Sequence, residues 1–152
     1  MHLILWRHAE AFDGSPDAQR ELTAKGRRQA QMAAGWLKAR LPRKTRVLAS
    51  PTVRTRSTAV ALTDDFETLD CLEPGAPPET VLAAADWPEF RGAVVVVGHQ
   101  PTLGQVAATL LAGQPLDWSV KKGGLWWLSY RMRQERADVV VRAVVNPDLL
   151  GS

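Results

Sequence analysis

Residues 93–97 read Ala-Val-Val-Val-Val, and the tetrapeptide Gly98-His99-Gln100-Pro101 follows them directly. An unbroken run of β-branched residues favours a strand that is buried on both faces, as the inner strands of a parallel sheet are. Glycine and proline end such a run. The stretch therefore predicts a central strand with a histidine at its carboxyl end.

Two shorter apolar runs predict two further strands. Residues 3–6 end abruptly in Arg7-His8, and residues 47–49 lead into Ser50-Pro51. Ser50 is expected to cap the helix that follows, with Pro51 at the first helical position, where its missing N–H costs little. Both strands are thus followed at once by polar or turn-forming residues.

Amphipathic helices are predicted between the strands. Thr23 is expected to cap a helix that Pro42 closes, and a later helix ends at Gly113. Trp126 and Trp127 are neighbours on a predicted strand, so they should lie on opposite faces of the sheet. The remaining predicted elements are a short strand over 66–69, a helix over about 79–85, and a terminal hairpin formed by 125–131 and 138–145.

Strands that alternate with helices imply right-handed crossovers, which place helices on both faces of a parallel sheet. The predicted fold class is therefore α/β, a three-layer α/β/α sandwich with a mostly parallel central sheet and a C-terminal β-hairpin. A length of 152 residues, 45% of them hydrophobic, suits a single domain over 1–152.

The composition also limits the location and the partners. The lone Cys71 cannot form an internal disulfide, and the apolar N-terminal run is too short for a signal peptide or a membrane span. A cytoplasmic protein with no membrane partner is expected. Only three histidines are present and none shows zinc spacing, so no metal site is predicted. The net charge of +3 comes without aromatic interleaving, and no nucleic-acid partner is expected.

The predicted strand ends gather four chemically active residues. In open α/β sheets, ligands bind outside the carboxyl ends of the strands. Arg7 and His8 end the first strand, Arg54 lies in the first turn of the helix after the second, and His99 ends the central strand. With no acidic residue among them, these side chains predict a cationic pocket for a phosphoryl group, whose oxygens match the arginine fork.

An imidazole can attack phosphorus and carry it as a covalent intermediate, which water later removes. Neighbouring cations keep the histidine unprotonated and stabilise charge on the equatorial oxygens in the transition state. Because protein groups neutralise that charge, neither a magnesium ion nor another cofactor is expected.

Four ordered motifs resemble the histidine phosphatase superfamily, and within it the SixA-type phosphohistidine phosphatases. The motifs are Arg7-His8-Ala9-Glu10, Leu22-Thr23-Ala24-Lys25-Gly26, Ser50-Pro51 with Arg54, and Gly98-His99-Gln100-Pro101. The resemblance covers residues 1 to about 112. It implies a phosphoglycerate mutase-like fold, His8 as the phosphorylated nucleophile, Arg7 and Arg54 as phosphate ligands, a hydrogen bond from His99, and a substrate contact from Arg20.

The proton donor decides the substrate class. Larger relatives that cleave phosphate esters use a carboxylic acid, and Glu73 is a possible position, but Leu72-Glu73-Pro74 does not match that motif. A missing acid favours phosphohistidine, whose imidazole titrates near neutrality. With no large insertion to form a lid, the leading hypothesis is a phosphatase acting on phosphohistidine in a protein. The alternatives are a phosphatase of a small phosphorylated metabolite and a non-catalytic module that binds phosphorylated ligands.

Overall fold

A six-stranded sheet forms the centre of the protein, and the computed structural model describes residues 1–151. Its strands follow the order β3-β2-β4-β1-β5-β6. The strands are β1 (His2–Arg7), β2 (Thr45–Ala49), β3 (Glu67–Thr68), β4 (Ala93–Gly98), β5 (Leu125–Arg133) and β6 (Arg136–Val145). The helices are α1 (Ala24–Lys38), α2 (Val53–Leu62), α3 (Pro78–Ala84) and α4 (Thr102–Ala112).

Strand β4 is the inner strand that its sequence predicts. All six of its residues are buried, and it pairs in parallel with β1 on one side and with β2 on the other. In the pairing with β1, His2 lies opposite Ala93 and Arg7 opposite Gly98. Both strands therefore end at the same level of the sheet.

The predicted C-terminal hairpin is confirmed at one edge of the sheet, where β5 pairs antiparallel with β1 and β6 with β5. Its strands are longer than predicted, because only Gln134 and Glu135 separate them and both take positive φ angles, as a tight hairpin turn requires. The class predicted from the sequence, an α/β fold with a mostly parallel sheet, is confirmed.

Helices cover both faces of the sheet and enclose two parts of the core. Helices α1 and α2 pack with Trp127 on one face, while α3 and α4 pack with Trp126 on the other. The prediction that the two indoles lie on opposite faces is confirmed. None of the helices within residues 1–151 is long and apolar enough to cross a membrane.

Two predicted helix boundaries are wrong. Helix α2 begins at Val53 with Thr52 as its cap, because the Ser50 hydroxyl bonds to His99 instead of to the helix. Helix α1 has its predicted cap at Thr23 but ends at Lys38, where tighter backbone hydrogen bonds close the last turn ahead of the proline. The strand predicted over 66–69 is reduced to two residues.

Two glycines of α1 are in opposite environments, and this difference can be tested. A methyl group added at Gly26 would overlap the backbone carbonyl of Glu10, whereas one added at Gly35 would meet no atom within 4 Å. We expect Gly26→Ala to lower the free energy of unfolding by about 1–3 kcal/mol through overpacking. Gly35→Ala should raise it by about 0.5–1 kcal/mol through helix propensity. Urea denaturation measures both, and an unaltered Gly26→Ala protein would contradict the close packing of α1 on the loop after β1.

Candidate active site

The carboxyl ends of β1 and β4 bring two histidines together. Because Arg7 lies opposite Gly98, the next residues, His8 and His99, emerge side by side with their ring centroids 5.4 Å apart. Arg54, from the first turn of α2, places Nη2 3.5 Å from Nδ1 of His99. The structure thus gathers the four residues that the sequence places at one edge of the sheet. We call Arg7, His8, Arg54 and His99 the anion pocket.

His8 is held in one tautomer. Its Nδ1 lies 2.8 Å from the carbonyl oxygen of Ala9, and since a carbonyl only accepts, Nδ1 carries the ring proton. Thr58 of α2 fixes this turn by accepting the Ala9 N–H at 3.0 Å. The other ring nitrogen, Nε2, therefore keeps its lone pair, which is the state that a nucleophile requires.

His99 is oriented from both sides. Its Nδ1 faces Arg54, which can only donate, so Nδ1 accepts and Nε2 carries the proton. That Nε2 lies 2.7 Å from Oγ of Ser50, to which it donates. The hydrogen bond from His99 to a phosphoryl oxygen, which the resemblance implies, stays a prediction.

Two arginine nitrogens in the anion pocket have no partner. Arg7 donates Nη1 to the carbonyl of Val120 at 3.0 Å, and Arg54 donates Nη1 to the carbonyl of Asp17 at 2.9 Å. Nε of each arginine is buried and makes no hydrogen bond within residues 1–151. Leaving a buried donor unpaired costs roughly 1–3 kcal/mol, and more when the group is charged. Each guanidinium group therefore keeps one hydrogen-bond donor that the described part of the chain does not use.

Burial and charge keep the two histidines neutral. The exposed fractions of His8, His99 and Arg54 are only 7%, 5% and 4%. Burial, assisted by the charges of Arg54 and Arg7, lowers the pKa of His8 to about 4, although the bond to Ala9 acts in the opposite direction. Burial and the neighbouring His8 and Arg54 lower the pKa of His99 to about 3. At neutral pH, the anion pocket therefore holds uncharged imidazoles between guanidinium groups.

An acidic residue, Asp17, contacts Arg54, one of the four residues that the sequence gathers. Asp17 bonds through Oδ2 to Nη2 of Arg54 and through Oδ1 to Nη1 of Arg20, at 3.0 Å each. Those two hydrogen bonds lower the pKa of the Asp17 carboxyl, so it is ionised at neutral pH. The residue lies in a polar loop without hydrophobic periodicity, and only its spacing to Arg20 signals a role.

Arg20 lies beside the anion pocket through its ion pair with Asp17, and the substrate contact that the resemblance implies stays a prediction. Its Nε donates to the carbonyl of Phe12 at 2.7 Å, and the charge of Arg20 contributes to the lowered pKa of His8. The segment from Phe12 to Arg20 therefore borders the anion pocket, where Asp17 contacts Arg54.

The other candidate acids lie at the margin of the site. Glu10 accepts a hydrogen bond from the hydroxyl of Thr23 at 2.7 Å, which joins the loop after β1 to the cap of α1. Glu73 is exposed and lines a cavity of about 10 Å³ together with His99. Within residues 1–151, no cluster of three or more His, Cys, Asp or Glu side chains is arranged to hold a metal ion.

Comparison with known proteins gives one family. The histidine phosphatase superfamily (branch 1) model matches residues 3–73. Phosphohistidine phosphatase SixA of Escherichia coli is 31% identical over 123 residues, which cover 75% of this chain and 76% of that protein. An uncharacterized protein of Mycobacterium tuberculosis is 34% identical over 121 residues, 75% of each chain. The protein histidine phosphatase SixA complexed with tungstate has a TM-score of 0.80 at 24% identity, covering 99% of this chain and 100% of that one. The phosphoglycerate mutase-like fold is thereby confirmed.

The protonation states of the pocket histidines are open to measurement. We expect the ring signals of His8 and His99 in proton NMR spectra to stay unchanged from pH 8 to 5.5, since their pKa values are about 4 and about 3. In the urea-unfolded chain the same rings should titrate near about 6.5. His8→Asn and His99→Asn assign the signals. Because the unfolded chain takes up protons first, the folded state should lose stability as the pH falls below about 6.5. A midpoint for His8 above about 6 in the folded protein would contradict the buried, neutral ring.

Proposed function

We propose that this chain, which belongs to the histidine phosphatase superfamily, removes the phosphoryl group from phosphohistidine in a protein through a covalent intermediate on His8. The observation that carries the proposal is the pair of buried, unpartnered Nε donors of Arg7 and Arg54 beside an imidazole whose Nε2 is unprotonated. An oxyanion on phosphorus would supply the acceptors that both guanidinium groups lack.

The first step transfers the phosphoryl group to the enzyme. Nε2 of His8 attacks phosphorus and forms an N–P bond, while the N–P bond of the substrate breaks and its imidazole leaves with the bonding pair and takes up a proton. Arg7 and Arg54 stabilise the charge on the equatorial oxygens through hydrogen bonds from Nε. In the second step, water attacks phosphorus, the bond to His8 breaks, and inorganic phosphate leaves.

The state of the nearby acids supports phosphohistidine as the substrate. Asp17 is held as a carboxylate by Arg20 and Arg54, so it has no proton to give to a leaving alkoxide. An imidazole titrates near neutrality, at about 6.5, so solvent can protonate the second ring nitrogen of a phosphohistidine and the ring then leaves as neutral imidazole without such a donor. The relative from Escherichia coli is named as a phosphohistidine phosphatase, and a structural neighbour binds tungstate, an oxyanion.

The shape of the site supports a substrate that reaches inward. His8 and His99 are nearly buried, and the segment from Phe12 to Arg20 borders Arg54 through Asp17. A phosphoryl group at the end of an extended side chain can reach such recessed residues while the rest of the protein stays outside. A phosphohistidine side chain on a protein surface has this form.

Trapping of the intermediate tests the proposal. We expect a protein labelled on phosphohistidine with radioactive phosphate to transfer acid-labile label to the parent chain without added metal, and His8→Ala to accept none. A panel of alkyl phosphate esters, offered in parallel, should react far more slowly. Circular dichroism verifies that the variant is folded. Equal hydrolysis by the His8→Ala variant and the parent would refute the mechanism, and faster ester cleavage would refute the substrate class.

The role of the unpartnered Nε donor has a matched control on the same helix. Arg54→Lys keeps the positive charge but removes the guanidinium group, with Nε and the Nη contacts to Asp17, and we expect kcat/KM to fall by roughly 100-fold to 1,000-fold, as for the loss of one transition-state donor. Arg56→Lys makes the same change two residues later, at an exposed position, and should leave kcat/KM within about twofold of the parent. Similar losses in both variants would show that the Nε contact to phosphoryl oxygen is not the source of the effect.

A further inference from the structure

A second cleft, with a volume of about 490 Å³, opens at the amino end of β1, opposite the end that carries the anion pocket. Clefts of this size are in the range that binds small molecules. Its lining combines two indole rings with an imidazole from β1, a guanidinium group from the segment after α1 and a second guanidinium group from β6. These residues are His2, Trp36, Arg40, Trp127 and Arg142. We call it the amino-end cleft.

Arg142, which lines the amino-end cleft, lies at an irregularity in the pairing of β5 with β6. Trp127 lies opposite Ala143 and Leu128 opposite Val141, so Arg142 has no residue opposite it in β5. An extra residue of this kind is a β-bulge, which interrupts the ladder and redirects a side chain. β6 therefore lacks one regular pairing with β5 at Arg142, the residue whose guanidinium group lines the cleft.

His2 adds a hydrogen-bond donor to the amino-end cleft. Trp127 donates its Nε1 to Nδ1 of His2 at 3.0 Å, so the imidazole carries its proton on Nε2 and is neutral. Burial, the N-terminal ammonium group and Arg142 all lower the pKa of His2, which agrees with a neutral ring. Trp127 also packs edge-on against both His2 and Trp36, which holds the aromatic wall in place.

Arg40 is stacked on the wall of the cleft. Its guanidinium carbon lies 4.4 Å from the ring centre of Trp36, and its Nη1 donates to the carbonyl of Trp36 at 2.9 Å. No carboxylate lines the cleft, and the ion pairs found within residues 1–151 involve neither Arg40 nor Arg142. Two guanidinium groups therefore border an aromatic cleft that contains no counter-charge from the described part of the chain.

We propose that the amino-end cleft binds a small organic anion that carries a flat ring and is no larger than a mononucleotide. The guanidinium groups and the N–H of His2 match a carboxylate or a phosphate. Trp36, with the buried Trp127 packed against it, offers a partly exposed apolar surface that a ring can cover, and a simple inorganic ion would leave this surface in contact with water. The ligand therefore needs its anionic group to bind the guanidinium groups and its ring to pack on the indoles.

The amino-end cleft is separate from the anion pocket. His2 and Arg7 are the two ends of β1, and a strand of this length places them roughly 17 Å apart. A ligand of mononucleotide size in the cleft cannot also fill the anion pocket. The proposal therefore stands independently of the phosphatase reaction.

Three matched probes test the two requirements. Benzoate has both ring and charge, benzamide has the ring alone, and acetate has the charge alone. We expect benzoate to shift the indole N–H signals of Trp36 and Trp127 in nitrogen-15 NMR spectra, with an affinity on the order of tenfold above that of either other probe. Trp36→Phe and Trp127→Phe assign the two signals. Equal binding of benzamide would overturn the anionic requirement, equal binding of acetate would overturn the ring, and unmoved indole signals would overturn the site.

A charge-matched pair of variants locates the contact. Arg142→Ala should weaken benzoate binding by about tenfold, the loss of one charge-assisted hydrogen bond, whereas Arg136→Ala on the exposed start of β6 should change it by less than about twofold. Equal weakening in both variants would overturn the site. Adenosine monophosphate is compared with benzoate on the His8→Ala variant, which prevents turnover. Tighter binding of adenosine monophosphate would indicate a nucleotide as the natural ligand, and tighter binding of benzoate an aromatic acid.

Discussion

The parallel register between β1 and β4 is the constraint on which the site depends. Because Arg7 lies opposite Gly98, the strands end at one level and their next residues, His8 and His99, emerge together. Alternation along a strand is strict, so a slip of one residue would turn each side chain to the opposite face of the sheet. Both faces of β4 are covered by helices, so its buried residues belong to both parts of the core, and the strand that carries His99 lies at the centre of the sheet.

The positive charge of the anion pocket is partly offset by a carboxylate. Asp17 accepts a hydrogen bond from Nη2 of Arg54, while Nε of the same guanidinium group makes no hydrogen bond within residues 1–151. Removing a charged group from water is costly unless it is paired, and Asp17 supplies that pair without occupying the space beside His8. The same carboxylate also bonds Arg20, so Asp17 links Arg20 to Arg54 of the anion pocket.

The sequence predicts the parts of this arrangement that follow from periodicity and from strand ends. The apolar run of residues 93–97 predicts the inner strand, and the rule for open α/β sheets gathers Arg54 and His99 although 45 positions separate them. Asp17 cannot be found in this way, because its role arises from a tertiary contact of an irregular loop. The misplaced cap of α2 has the same origin: Ser50 fits the local pattern of a cap, but its hydroxyl is bonded to His99. The bulge at Arg142 could not be predicted either, because it causes no recognisable break in the pattern of apolar and polar residues along β6.

The lowered pKa of His8 has opposite effects on the two steps of the proposed reaction. A ring with a pKa of about 4 is a weaker nucleophile than ordinary imidazole, although all of it is unprotonated at neutral pH. The same ring is a better leaving group from phosphorus, which favours attack by water on the intermediate. Since the substrate's imidazole has an ordinary pKa of about 6.5, transfer between the two rings would be uphill without the hydrogen bonds from Arg7 and Arg54 to the bound phosphoryl group. A short-lived intermediate suits hydrolysis, whereas a mutase must keep its phosphohistidine until the group returns to product.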